Sequence, residues 1–237
     1  MLLAMATTRS SLPVLLLDFD GTICIGDAPV LAYAEEACRD LTPDQANVLV
    51  DTLRSFLSGA LGARWEDGYD AVHALATPTL TEEQLSGAYT RSRSRLAAGT
   101  LPVTTPAGLV DFLTSLAPHA RRVLVTNAPL RGVEHTLGRL GLDPVLDLVV
   151  PDAGKPDGWT RVLPQILGDA PAQGSVSVGD VYRNDIAPLI RTDIATAFID
   201  RFGATGLPAT PTWSAASFPD LYPALSRWFT PHPIEGH

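Results

Sequence analysis

Five short runs rich in valine and leucine, at Val14–Leu17, 123–126, 146–150, 176–178 and 197–199, each stop at or just before a polar or acidic residue. Continuous apolar runs of this length suit strands buried on both faces, as in a parallel sheet. Between the later ones lie helical stretches at Leu130–Leu140, Trp159–Leu167 and 186–192. That alternation predicts right-handed crossovers and helices on both sides of the sheet, a Rossmann-like, doubly wound α/β fold. Such sheets bind ligands beyond the carboxyl ends of their strands. Asp18, Thr126, Asp152 and Asp180 all fall at or just past those ends.

The rhythm breaks once, where roughly a hundred residues without a convincing strand separate Thr22 from Val123. Residues 29–39, Pro43–Leu57, 65–76 and Glu82–Ala97 carry helical spacing, with Thr42 and Thr81 as N-caps. The sequence therefore predicts an inserted helical cap over 24–100, with 1–23 and 101–237 forming the core. Pro102 and Pro106 mark the return, 107–116 is a core helix, and the proline-rich tail from Leu207 carries Trp213 and Trp228 over the sheet.

A chain of 237 residues, 46% hydrophobic, can bury a substantial core. Its net charge of -9 and pI near 4.9 argue against nucleic acid or an anionic membrane as partner, because phosphate backbones repel such a surface. Nowhere does the sequence hold an apolar run long enough to span a bilayer. The apolar stretch 1–6 is too short for a secretory core, so the chain reads as cytoplasmic. Cys24 and Cys38 have no metal-binding spacing and read as reduced thiols.

Asp18, Phe19, Asp20, Gly21 and Thr22 follow the first run directly. Two carboxylates this close resist sharing a site unless a cation or proton compensates them, and Gly21 lets the chain turn sharply behind them. Of 17 basic residues, Lys155 is the one lysine. A compact ammonium there, where a planar guanidinium would serve elsewhere, marks a position with a specific task.

Asp18 to Thr22, Thr126 with Asn127, Lys155, and Gly179 and Asp180 with Asn184 and Asp185 occur in an order that resembles the haloacid dehalogenase superfamily. The resemblance spans about 13–200, and the insertion between the first two motifs is similar to the family's helical C1 cap. It implies a phosphatase-type enzyme in which Asp18 is the nucleophile and forms an aspartyl phosphate. Asp20 would protonate the leaving oxygen and then activate water. It implies Mg²⁺ held by Asp18, the main-chain carbonyl of Asp20 and Asp180, with Asp185 reaching the ion through water or orienting Lys155. Thr126 would donate to a phosphoryl oxygen, and Lys155 would neutralise the phosphoryl group. Gly21, Thr22 and Asn127 are expected at the substrate, Asn127 orienting it or Asp18.

The second carboxylate argues against dehalogenation, since halide leaves without a proton. A cap without lysine argues against Schiff-base phosphonate hydrolysis. A sugar phosphomutase shares the nucleophile and stays open as the alternative, as does a non-catalytic phosphoryl-binding or signalling protein, which the length, cap and intact Asp20 oppose. The expected partner is a small phosphate ester. Among Arg54, Arg64, Trp65, Tyr69, His73, Arg91, Arg93 and Arg95, the pair Arg64 and Trp65 is the preferred substrate contact, with Asp27 near the hinge as another. The three arginines at spacing two cannot share one helical face.

Overall fold

The computed structural model describes residues 11–230; the stretch 1–6, on which the cytoplasmic reading rests, lies outside them. Six parallel strands form one sheet: β1 (Val14–Leu17), β2 (Arg121–Val125), β3 (Leu148–Val150), β4 (Val176–Gly179), β5 (Ala195–Ile199) and β6 (Trp213–Ala215), in the order β3-β2-β1-β4-β5-β6. The eight helices are α1 (Ala28–Cys38), α2 (Pro43–Leu57), α3 (Gly68–Ala76), α4 (Glu82–Ala97), α5 (Leu109–Leu116), α6 (Leu130–Leu140), α7 (Trp159–Leu167) and α8 (Phe218–Phe229).

The apolar run of β1 is continuous because both of its faces are covered. Leu15 and Leu17 pack with Leu113 and Leu116 of α5 and Leu225 of α8, whereas Val14 and Leu16 pack with Trp159, Val162 and Ile166 of α7. β1 lies between β2 and β4, so its carboxyl end is flanked on either side by the ends of both.

Helices α1–α4, inserted between β1 and β2, gather a cluster of their own around Tyr33, Leu53, Phe56, Val72 and Leu85. Ala32 of α1 and Leu96 of α4 instead join the cluster on the sheet. Thr42 and Thr81 both close capping boxes, with Gln45 and Gln84 reaching back to the cap backbone.

Two local expectations are corrected. No regular helix forms over 186–192: a wide turn at Tyr182–Ile186 leads into loose turns. Pro188 has no N–H for the carbonyl of Asn184, which accepts instead from Trp159 Nε1 at 2.6 Å. In the tail, Trp213 lies within the sheet rather than over it, since Trp213–Ala215 forms its edge strand, and α8 runs through Pro223. Tyr222 of α8 stacks on Phe112 of α5 at 4.2 Å, and Trp213 meets Trp228 edge-on at 5.2 Å.

Candidate active site

β1 delivers Asp18 at its carboxyl end, where the Asp18 N–H still donates to Val178 O at 3.0 Å. The chain then turns at once, with Phe19 O accepting from the amides of Ile23 and Cys24. Gly21 sits in the left-handed region at φ +82°, and a Cβ there would stand 1.9 Å from Asp180 Oδ2. Glycine is required twice over, for the turn and for the approach of the carboxylate beside it. Gly179 is similarly closed, because its Cβ would meet the Asp185 side chain at 2.3 Å.

Lys155 reaches this point from the loop after β3. Its ammonium donates to Asp18 Oδ1 at 2.7 Å and to Asp185 Oδ1 at 2.6 Å. Burial works to lower the Lys155 pKa, but the charges of Asp18 and Asp185 carry it above its ordinary value, so the group stays an ammonium. The other oxygen of Asp185 accepts from Val181 N–H at 3.2 Å. Both oxygens of Asp185 are therefore engaged, and its position is that of a residue orienting Lys155 as well as bordering the carboxylate group. Burial, with Asp18 adding to it and Lys155 opposing, pushes the Asp185 carboxyl up to about 7.

One oxygen from each of Asp18, Asp180 and Asp185 lies within 4.8 Å of the others. Burial and the charges of Asp18, Asp67 and Asp185 raise Asp180 well above the usual carboxylate range. An all-oxygen donor set with surplus negative charge fits a hard divalent cation such as Mg²⁺. The Asp20 side chain is not part of this group.

Four expected substrate contacts, Asn127, Thr22, Arg64 and Asp27, have partners within the protein. Asn127 Nδ2 donates to Lys155 O at 2.9 Å and its Oδ1 accepts from Lys155 N–H at 2.7 Å, clamping the lysine's backbone. Thr22 is fully buried, and its hydroxyl donates to Asp180 Oδ1 at 3.3 Å. Arg64 is exposed, lies 4.8 Å over Trp65, and borders a neighbouring cavity rather than the one that Asp20 faces. Thr126 is buried just past the end of β2 and accepts from Ala128 N–H at 3.0 Å, which leaves its own hydroxyl hydrogen free to donate. Asp27 forms a two-point ion pair with Arg201 at 2.8 and 3.2 Å.

Sequence reasoning missed the partner of Asp20. Arg93 of α4 points into the protein, 3% exposed, and its Nη1 donates to both Asp20 oxygens at 2.9 Å and to Tyr69 Oη at 3.1 Å. Arg91 and Arg95 turn outward instead, to Glu36 and Glu35 of α1. Burial raises the Asp20 pKa above its ordinary value while Arg93 pulls it down. The available signal was the apolar stripe of α4, Leu85, Ala88, Ser92 and Leu96, which Arg93 adjoins; an arginine beside a buried stripe must meet an acid.

No protein-family model and no curated relative matches the sequence. Solved structures do. The magnesium-bound putative HAD-hydrolase YfnB from Bacillus subtilis is similar at 21% identity, a TM-score of 0.63 and coverage of 91% of this chain and 99% of that one. A HAD phosphatase from Thermococcus onnurineus is similar at 20% identity and a TM-score of 0.54, with 90% and 97% covered. A 2-haloacid dehalogenase from Pseudomonas syringae pathovar tomato is similar at 20% identity and a TM-score of 0.55, with 92% and 99% covered. The chain thus has the fold of haloacid dehalogenase-like hydrolases, a fold on which both phosphatases and dehalogenases are built.

Proposed function

We propose that the protein is a phosphatase of the haloacid dehalogenase superfamily that hydrolyses a small phosphate monoester, with Mg²⁺ held by Asp18 and Asp180 together with the Asp20 carbonyl. The observation that carries the reading is the pair of differently placed carboxylates, Asp18 on the Lys155 ammonium and Asp20 on Arg93 at the wall of a cavity. A dehalogenase has no work for the second of these. Bound Mg²⁺ supplies positive charge that offsets the clustered carboxylates and the phosphoryl oxygens.

In the first step an Asp18 oxygen attacks phosphorus, the P–O bond to the alcohol breaks, and Asp20 gives its proton to the departing oxygen. Lys155 holds Asp18 in place and offsets the charge that builds on the phosphoryl group, and Thr126 offers its hydroxyl hydrogen to one phosphoryl oxygen. In the second step water attacks the aspartyl phosphate, its proton passes to Asp20, and the Asp18–phosphorus bond breaks. Asp20 must be a carboxylic acid in one step and a carboxylate in the next, and burial, opposed by Arg93, raises its pKa above the ordinary carboxylate value in the direction that favours the acid form.

The test is a panel of phosphate monoesters assayed with Mg²⁺ on wild type, Asp18→Asn and Asp20→Asn, alongside halide release from a 2-haloacid. Phosphate release lost in both variants, with no halide from any of the three proteins, is expected. Undiminished turnover in Asp18→Asn, or halide release by the wild type, would overturn the proposal.

A further inference from the structure

The leaving alcohol must sit where Asp20 can reach its oxygen. A cavity of about 450 Å³ meets that condition, since Asp20, Gly21 and Asp180 form one end of it. The neighbouring cavity, bordered by Arg64 and Arg183, touches Asp180 but not Asp20, so an alcohol placed there would lack its proton donor.

From Asp20 the first cavity runs between α1 and the loop after β5, walled by Val30, Leu57, Ile199, Phe202 and Phe218. Most of its polar side chains already have partners within the protein. Ser217 donates to Asp220 at 2.6 Å, Thr22 donates to Asp180, Asp67 accepts from Asp70 N–H at 2.6 Å, and Tyr69 accepts from Arg93. A site built to recognise several hydroxyl groups presents a full set of donors and acceptors that await the substrate, whereas here the Tyr69 hydroxyl hydrogen and one oxygen of Asp67 stand in a largely apolar lining. Among the described residues lining the cavity, Arg201 is the one cation, and its guanidinium is spent on Asp27 and on Leu57 O at 3.0 Å. A second anion on the alcohol would face Asp27 and Asp67 and would have to displace Asp27 from Arg201.

We infer that the alcohol released here is uncharged and largely apolar, so that the phosphate is the substrate's one anionic group. This rests on the phosphatase reading and narrows it. It also opposes a sugar phosphomutase, whose bisphosphate intermediate needs a cation at the far end of the cavity and partners for several hydroxyl groups.

The test compares benzyl phosphate, para-carboxybenzyl phosphate and a hexose phosphate as substrates of the full chain with Mg²⁺. The benzyl ester should show kcat/KM at least about tenfold above its carboxylated twin and above the hexose ester, with the difference carried by KM. Asp27→Asn, which releases Arg201, should narrow the gap between the twins. Equal or faster hydrolysis of the carboxylated or the hexose ester by the wild type overturns the inference while leaving the phosphatase reading intact. Turnover of none of the three overturns the phosphatase reading. The inference is then read from calorimetric binding of benzylphosphonate and para-carboxybenzylphosphonate, where tighter binding of the carboxylated ligand overturns it.

Discussion

Lys155 and Arg93 each neutralise one of the two carboxylates of the D-x-D segment, and they differ in how far the sequence reveals them. The lysine is conspicuous because it is the one among 17 basic residues, whereas Arg93 is one arginine of many in a helix whose neighbouring arginines serve its surface. Arg93→Ala removes the group that does most to pull the Asp20 pKa down, so burial and the Asp18 charge would prevail over Lys155 and the pKa would rise further. Since the acid form is needed in the first step, the pH above which kcat declines should move upward, with kcat itself about tenfold lower or more; Arg93→Lys should restore part of both. A pH–rate profile of the three proteins reads this, and an unmoved alkaline limb would deny Arg93 its hold on Asp20. At Gly21 the expectation is simpler. Gly21→Ala would need both a left-handed backbone and a displaced Asp180, so it should destabilise the fold by about 1–3 kcal/mol in denaturant titration. Wild-type stability in that variant would mean that the turn relaxes freely.

Elements specified by adjacent residues were legible: the N-caps Thr42 and Thr81, the four residues of β1, and the full spans of α6 and α7 follow from local pattern. Elements that depend on distant partners were not. β6 is three residues whose identity as a strand comes from pairing with β5, and the turn over 182–186 is shaped by Asp185 and by Trp159 from another helix. The same dependence explains Asn127, whose side chain is clamped to the Lys155 backbone across 28 residues of sequence. Asn127→Ala should therefore lower kcat by loosening the lysine's loop while KM changes little, and a loss confined to KM would return Asn127 to the substrate. At the start of α3, burial leads and nearby carboxylates add to push Asp67 up to about 7, against the hydrogen bond from Asp70 N–H. Folded protein then binds more protons than unfolded protein between the ordinary carboxylate range and about 7, so this contribution is present at acid pH and fades as pH rises to about 7. Asp67→Asn keeps a cap-competent side chain and should flatten that decline in denaturant midpoints measured from about pH 5 to about pH 8. Parallel slopes in the two proteins would contradict it.

For the whole molecule, the sheet and the inserted helices meet through contacts that a one-dimensional pattern does not display. Arg93 reaches Asp20, Arg201 holds Asp27 and Leu57 O, Glu66 accepts from Arg183 N–H at 2.7 Å, and Phe56 packs on Phe202 at 4.2 Å. The helices between β1 and β2 were legible from a long helical gap in a strand–helix rhythm, but their fit against the sheet decides which cavity contains the acid. The clustered carboxylates give the molecule a readable response to metal. Mg²⁺ at about a hundredfold above its dissociation constant should stabilise the fold by about 2.7 kcal/mol, seen as a rise in Tm that Asp180→Asn loses. A rise of the same size in that variant would place the ion elsewhere. The central claim is that Asp18 carries the phosphoryl group between the two chemical steps, and it is tested most directly by mass spectrometry of Asp20→Asn quenched during turnover of an aryl phosphate, whose alcohol leaves without a proton. A single phosphoryl adduct on the peptide containing Asp18, absent when Asp18→Asn is added, is the predicted result. Phosphate release with no adduct, or with the adduct on another residue, would contradict the account.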